Sequence, residues 1–156
     1  MEIITGENNP LLRKKSQPVE HLTKEIRLLI SQMKPIMETY DGIGLAAPQV
    51  GISLRIIVCE VEDKFYALIN PEIIKTSKKT VTMTEGCLSL PNIYGDVERP
   101  ERIIVKAINQ EGEKIKFKAF GLLSRVIQHE VDHLDGILFI DKAKNIIKTT
   151  EEKNLL

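Results

Sequence analysis

Several features are missing from this chain. No apolar run approaches the roughly 20 residues that a bilayer-crossing helix needs. The opening residues, MEIITGENNP, hold neither a charged-then-apolar leader nor an arginine-rich transit pattern. The expectation is a cytoplasmic protein with no membrane partner. Neither sign of charge is in excess, because 22 Lys and Arg balance 22 Asp and Glu. No basic surplus points to a nucleic-acid site, and no acidic tract points to a solvating tail. With only two cysteines, Cys59 and Cys87, a disulfide scaffold is excluded, and in a reducing cytosol both stay thiols. There is no internal repeat, low-complexity stretch or linker. A length of 156 residues suits one domain with a respectable core, residues 142–156 forming a short polar tail.

The patterning is mixed. Leu22, Ile26, Leu29, Ile30, Met33, Ile36, Met37 and Tyr40 recur at helical spacing, which predicts an amphipathic helix over residues 23–40. Pro35 falls inside it and is expected to kink it or end it early. Residues 6–20, broken by Pro10 and Pro18, read as irregular. Strands are expected at 54–61, 64–74, 79–85, 102–108 and 114–120, the last two joined by the turn NQEGE. Residues 122–134 read as a second helix, capped by Asp135-Gly136. Strands grouped between helices predict an α+β fold. Antiparallel or mixed sheet elements would pack around the C-terminal helix.

That helix holds QHEVDHLDG, residues 128–136, with two of the chain's three histidines. Positions i and i+4 lie about 40° apart around a helix axis, so His129 and His133 point the same way. Glu130 is one step on, poorly placed as a ligand but near enough to reach water on a metal. This is the H-E-x-x-H geometry. The bland alternative is a helix with two surface histidines. Two histidines leave a catalytic metal one ligand short, and HLDGILFID offers no third histidine downstream. His21, at the start of the first helix, reads as solvated. Cys59 lies in an apolar strand and reads as a small buried hydrophobe. Cys87, among the glycine and turn-forming residues of EGCLSLP (85–91), does not. A Cys-His-His site would take a soft divalent metal, with the cysteine as thiolate. A third segment, GIGLAAPQVG (42–51), places Gln49 at the end of an otherwise apolar, glycine-bearing loop, where its amide could donate into a site.

Together GIGLAAPQ (42–49), EGCLS (85–89) and HEVDH (129–133) resemble, in order, the three motifs of the peptide deformylases. The resemblance spans the chain from its first helix to its last. It implies that Cys87, His129 and His133 hold the metal and that Glu130 is the general acid and base. Gln49 and the backbone N–H of Leu88 would stabilise the oxyanion. It implies ferrous iron in cells, with zinc, nickel or cobalt able to replace it; ligand types alone suggest zinc. The implied reaction removes the formyl group from the N-terminal formylmethionine of new proteins and releases formate. By the same resemblance the peptide lies along Gly42, Ile43 and Gly44 as an added strand. Leu122 and Val126, on faces of the helix near His129, would line the methionine pocket with Ile43. Plain core packing is the alternative for both.

Some family members carry a basic residue soon after the second motif. Here none occurs before Arg99, which puts substrate contacts at that rim in doubt. Asp132 is expected to pair with Arg99 or Arg102. The family acts on chains emerging from the ribosome, and the mildly basic tail offers at most a transient contact there; a frayed helix or disordered end is the alternative. Two rival functions use the same residues. A zinc peptidase would need a third histidine or glutamate ligand. A structural zinc site would need a fourth protein ligand, and no convincing one is present.

Overall fold

The computed structural model describes residues 1–150 and Leu156. Its helices are α1 (Pro10–Arg13), α2 (Lys24–Thr39) and α3 (Gly121–Leu134). Its strands are β1 (Gly44–Ala46), β2 (Ile56–Val61), β3 (Lys64–Thr76), β4 (Thr80–Cys87), β5 (Leu90–Pro100), β6 (Arg102–Ile108), β7 (Lys114–Phe120) and β8 (Lys144–Lys148). Five strands form one sheet in the order β1-β2-β3-β6-β7, and three form another in the order β4-β5-β8. Every ladder is antiparallel. The α+β expectation holds, and α3 lies between the two sheets.

Side-chain alternation explains the layers. In β2, Ile56 and Val58 pack with Leu29, Ile30, Met33 and Met37 of α2. Ile57 and Cys59 pack with Val126, Ile127, Val131 and Leu134 of α3. A strand's period of two puts these sets on opposite faces, so a strand covered by helices on both sides reads as one apolar run. In β6 only one face is covered. Ile103, Val105 and Ala107 join the α3 cluster, while Arg102 and Lys106 are exposed. On the edge strand β7, Lys114, Lys116 and Lys118 face solvent, where charge opposes edge-to-edge pairing with another chain.

The three-stranded sheet packs Cys87, Leu90 and Val97 against Leu12 of α1 and against Leu138 and Phe139, which follow α3. The end of α3 is fixed by Gly136. Its φ of +72° suits glycine, and its N–H donates to the His133 carbonyl at 3.1 Å. A Cβ there would also run into the backbone of Arg13.

Three expectations need correction, and one strand lies in a segment that carried no expectation. Pro35 does not end α2, which runs on to Thr39 because Leu29, Ile30, Met33 and Met37 are buried along its whole length. Residues 6–20 include one helical turn, started by the Asn9 side chain accepting from Leu11 N–H at 3.0 Å. Residues 90–100 form a full strand despite carrying Pro91, Gly95 and Pro100. The polar tail is neither helical nor loose at Lys144–Lys148, which pairs with β5. Gly95 permits that crossing, since a Cβ on it would come within 2.8 Å of the Ala143 Cβ. The rest of the tail reading falls on residues 151–155, outside the described residues. Among the described residues, no helix is long and apolar enough to cross a membrane.

Candidate metal centre

The site forms where α3 meets the end of β4. Cys87 is 0% exposed, His129 2%, His133 1% and Glu130 0%. One donor atom from each of Cys87, His129 and His133 lies within 4.8 Å of the others, and this is the one such cluster among the described residues. Cys87 Sγ is 3.3 Å from His133 Nε2. Buried polar atoms are nearly always hydrogen-bonded. Here His129 Nε2 and both Glu130 carboxylate oxygens have no partner among the described residues. A buried, converging thiol and two imidazoles suit a divalent transition metal, and the unpaired His129 nitrogen fits a metal ligand. The three residues expected to hold a metal therefore do come together.

Electrostatics support the same use. Burial, then the charges of His129 and Arg99, hold His133 well below the ordinary histidine range. It is thus a neutral imidazole, the form that binds metal. The Cys87 thiol is pushed up to about 12 by burial and next by Glu130, against backbone N–H groups of Ser89 and Leu90. Glu130 is raised well above its usual range by burial and then by Glu85. A cation among these ligands would lower both groups again, since opposite charge favours the ionised form.

Behind His129 sits a buried ionic cluster. Burial alone would raise the Glu85 carboxyl, but hydrogen bonds from His129 and Arg99 outweigh it and keep the group ionised. Glu85 Oε1 is 2.9 Å from His129 Nδ1. A carboxylate only accepts, so Nδ1 donates and Nε2 keeps its lone pair toward the site. Arg99 donates from Nε to Glu85 Oε2 at 2.6 Å and from Nη2 to Oε1 at 2.9 Å. Its Nη1 reaches Asp132 Oδ2 at 2.9 Å. Asp132 thus pairs with Arg99, while Arg102 lies on the surface beside Glu101 at 4.0 Å.

Gln49 arrives from the 3-10 turn Ala47–Val50, fully buried. Its Oε1 accepts from Ala46 N–H at 2.9 Å, which aims Nε2 toward Ser89 Oγ (3.1 Å) and Cys87 Sγ (3.7 Å). Leu88 follows Cys87 directly, and its side chain fills the space beside Gly42. A Cβ on Gly44 would meet Glu130 Oε1 at 2.7 Å and Val126 Cγ1 at 2.8 Å, so only glycine lets β1 lie this close to α3. Of the expected pocket residues, Val126 is fully buried and shares a cluster with Ile43. Leu122 stands apart, 42% exposed on the first turn of α3. Cys59 is a buried β2 residue and His21 is exposed. Glu85 and Arg125 were not singled out from sequence, and Arg99 only as a partner for Asp132. Arg125 lies four residues before His129 and eight before His133, a helical spacing that marks it as facing the same way.

A family model described as Polypeptide deformylase matches residues 1–149. The chain belongs to the polypeptide deformylase family. The peptide deformylase of Natranaerobius thermophilus is 45% identical over 149 residues, covering 95% of this chain and 96% of that one. Peptide deformylase 1 of Clostridium acetobutylicum is 52% identical over 132 residues, covering 85% and 87%. The crystal structure of the Thermotoga maritima deformylase superposes with a TM-score of 0.88 at 43% identity, covering 92% of this chain and 97% of that one. A Synechococcus elongatus deformylase, solved in complex with actinonin, gives 0.89 at 43% identity, covering 92% and 79%.

Proposed function

We propose that the centre formed by Cys87, His129 and His133 serves removal of the formyl group from the N-formylmethionine of newly made polypeptides, with release of formate. One observation carries the reading. Glu130 is buried with both carboxylate oxygens unpaired, beside three converging ligand atoms. A proton carrier in that position is what hydrolysis of an amide needs.

A divalent ion on the three donors would polarise water and the formyl oxygen. Ferrous iron is our choice for the ion in the cell, with zinc, nickel or cobalt able to occupy the same ligands. Glu130 takes the proton of the attacking water and passes it to the leaving nitrogen. General acid–base catalysis of this kind contributes about 10²–10⁴ in rate. As the water oxygen bonds to the formyl carbon, charge collects on the formyl oxygen; it returns to the carbonyl as the C–N bond breaks and the nitrogen leaves with the proton. The Gln49 amide and the Leu88 N–H are our candidates to meet that charge, each worth on the order of 3 kcal/mol. The aim of Gln49 Nε2 toward Cys87 supports its part.

The peptide would add as a strand along β1, an edge strand of its sheet. Ile43 and Val126 would face the methionine side chain, Gly44 would let the backbones approach, and Leu122 would stand at the mouth. We take residues 1–156 as one catalytic domain. Its natural partners are nascent chains in the cytoplasm, with at most transient contact with the ribosome. The test is formate release by iron- or cobalt-loaded protein from a formyl-methionyl tripeptide, beside the unformylated tripeptide and a longer internal peptide. Formate from the first alone is expected. Cleavage of internal peptide bonds without formate release would overturn the reading.

A further inference from the structure

The metal ligands come from two elements that are far apart in sequence. His129 and His133 ride on α3, and Cys87 ends β4. The 3.3 Å approach of Cys87 Sγ to His133 Nε2 therefore depends on how the β4–β5 hairpin docks on the helix. Arg125 sits at that junction, 4% exposed and one turn before His129. Its Nη1 donates to Glu85 Oε2 at 2.6 Å and to the Val97 carbonyl of β5 at 2.9 Å. Its Nη2 donates to the Val81 carbonyl of β4 at 2.6 Å. One side chain thus holds both strands of the hairpin and the carboxylate that orients His129. Ser124 and Gln128 also cross this junction, but both reach only the Pro100 carbonyl.

We propose that Arg125 is a positioning residue for the metal centre. It fixes the Cys87-bearing hairpin against the histidine-bearing helix and completes the coordination of Glu85. The carboxylate accepts four hydrogen bonds. Oε2 takes Arg99 Nε and Arg125 Nη1, and Oε1 takes Arg99 Nη2 and His129 Nδ1. Four is about the capacity of a carboxylate, so every contact has one place to go. Without Arg125, Oε2 loses a donor, the Val97 and Val81 carbonyls lose their bond to the helix, and the carboxylate is free to turn away from His129. A planar, always-charged fork is suited to three acceptors on two strands; a lysine ammonium is not. Partners behind a metal-binding histidine typically control metal affinity by 10- to 100-fold.

This inference rests on the metal reading above, and the experiment separates the two. Metal-free wild type, Arg125→Met and Arg125→Lys would be titrated with cobalt(II). The readouts are affinity, the near-ultraviolet sulfur-to-cobalt absorption that reports Cys87, and circular dichroism for folding. Folded Arg125→Met should bind cobalt about 10–100-fold more weakly, with the sulfur band weakened or shifted. Arg125→Lys, which keeps a cation near Glu85 but cannot span the three acceptors, should fall between it and wild type. Should Arg125→Met fail to fold, a weakened affinity and altered band in Arg125→Lys carry the inference. Wild-type affinity and an unchanged sulfur band in a folded variant, even one with a lowered Tm, would reduce Arg125 to a plain structural contact and overturn it. A wild type that takes up no cobalt would overturn the metal reading itself.

Discussion

Helix α3 has two unlike neighbours. Toward the five-stranded sheet it presents Val126, Ile127, Val131 and Leu134 to Ile57, Leu68, Ile103 and Val105. Toward the β4–β5 hairpin it presents Arg125, His129 and Asp132 to Glu85, Arg99 and two strand carbonyls. The apolar side sets where the helix lies. Many side chains of similar volume would serve there, because dispersion and burial have no direction. The polar side sets where single atoms point. Removing one partner from a buried ion pair leaves an uncompensated charge, typically at a cost of 3–5 kcal/mol. The helix is thus held by one neighbour and aimed by the other, and substitutions on the two sides should fail differently.

The largest effect belongs to Glu130. Glu130→Gln keeps the shape of the side chain and removes its ability to carry a proton. Turnover should fall about 10²–10⁴-fold, with metal content and Tm close to wild type. Steady-state formate release on protein of matched metal content measures this, and near wild-type release would end the general acid–base assignment.

The two cysteines give the next contrast. Both are fully buried thiols, one on each side of α3. Cys87→Ser should lose metal affinity at least tenfold, since a serine hydroxyl is a poor substitute for a thiolate toward a soft metal. Cys59→Ser should keep metal and activity, yet cost about 1–3 kcal/mol of stability, because it buries a hydroxyl in an apolar strand. Metal analysis together with denaturant midpoints separates the two, and matching behaviour would erase the distinction between the sides. Weaker still, Ile127→Val removes one buried methylene from the apolar side. A loss of about 0.5–1.5 kcal/mol with unchanged kcat/KM is expected from urea melts and formate assays. A large drop in activity would mean that packing as well as polar contacts aims the helix.

The same contrast governs what the sequence discloses. Strands β6 and β7 fall at 102–108 and 114–120 as expected, because one covered and one wet face write a period-two pattern. Strand β5 did not declare itself. Its burial follows no simple alternation, and its prolines and Gly95 read as turn signals. All five side chains of β8 are exposed, so no apolar face marks it; backbone pairing with β5 defines it. At the site, Cys87, His129, Glu130, His133 and Gln49 stand in short local motifs and could be read directly. Arg99 could be read only as a partner for Asp132 and Arg125 not at all, because a buried arginine looks like a surface one until its distant carboxylate is known. Glu85 lay inside a motif already, and only the fold reveals that it gathers two arginines and a histidine.

The smallest effect concerns the end of the chain. Cutting after Lys148 spares β8, whose pairs with β5 run from Asp96–Lys144 to Ile93–Lys148. Among described contacts it removes the hydrogen bond from Thr149 N–H to the Asn92 carbonyl (2.8 Å) and the longer one from Leu156 N–H to the Gly86 carbonyl (3.4 Å). It also exposes what Leu156 covers, since this residue is 8% exposed and shares the apolar cluster of Val126. Fully burying a leucine contributes about 1.5–3 kcal/mol. None of the proposed catalytic groups is removed. The expected result is kcat/KM on a short formyl-methionyl peptide within about twofold of the intact enzyme, roughly 0.4 kcal/mol of barrier, with matched metal content. Gly86 adjoins Cys87, which makes either failure informative. A tenfold loss would show that the tail braces the hairpin that carries the metal-binding thiol. A tenfold fall in KM would show that Leu156 lies where the substrate must go.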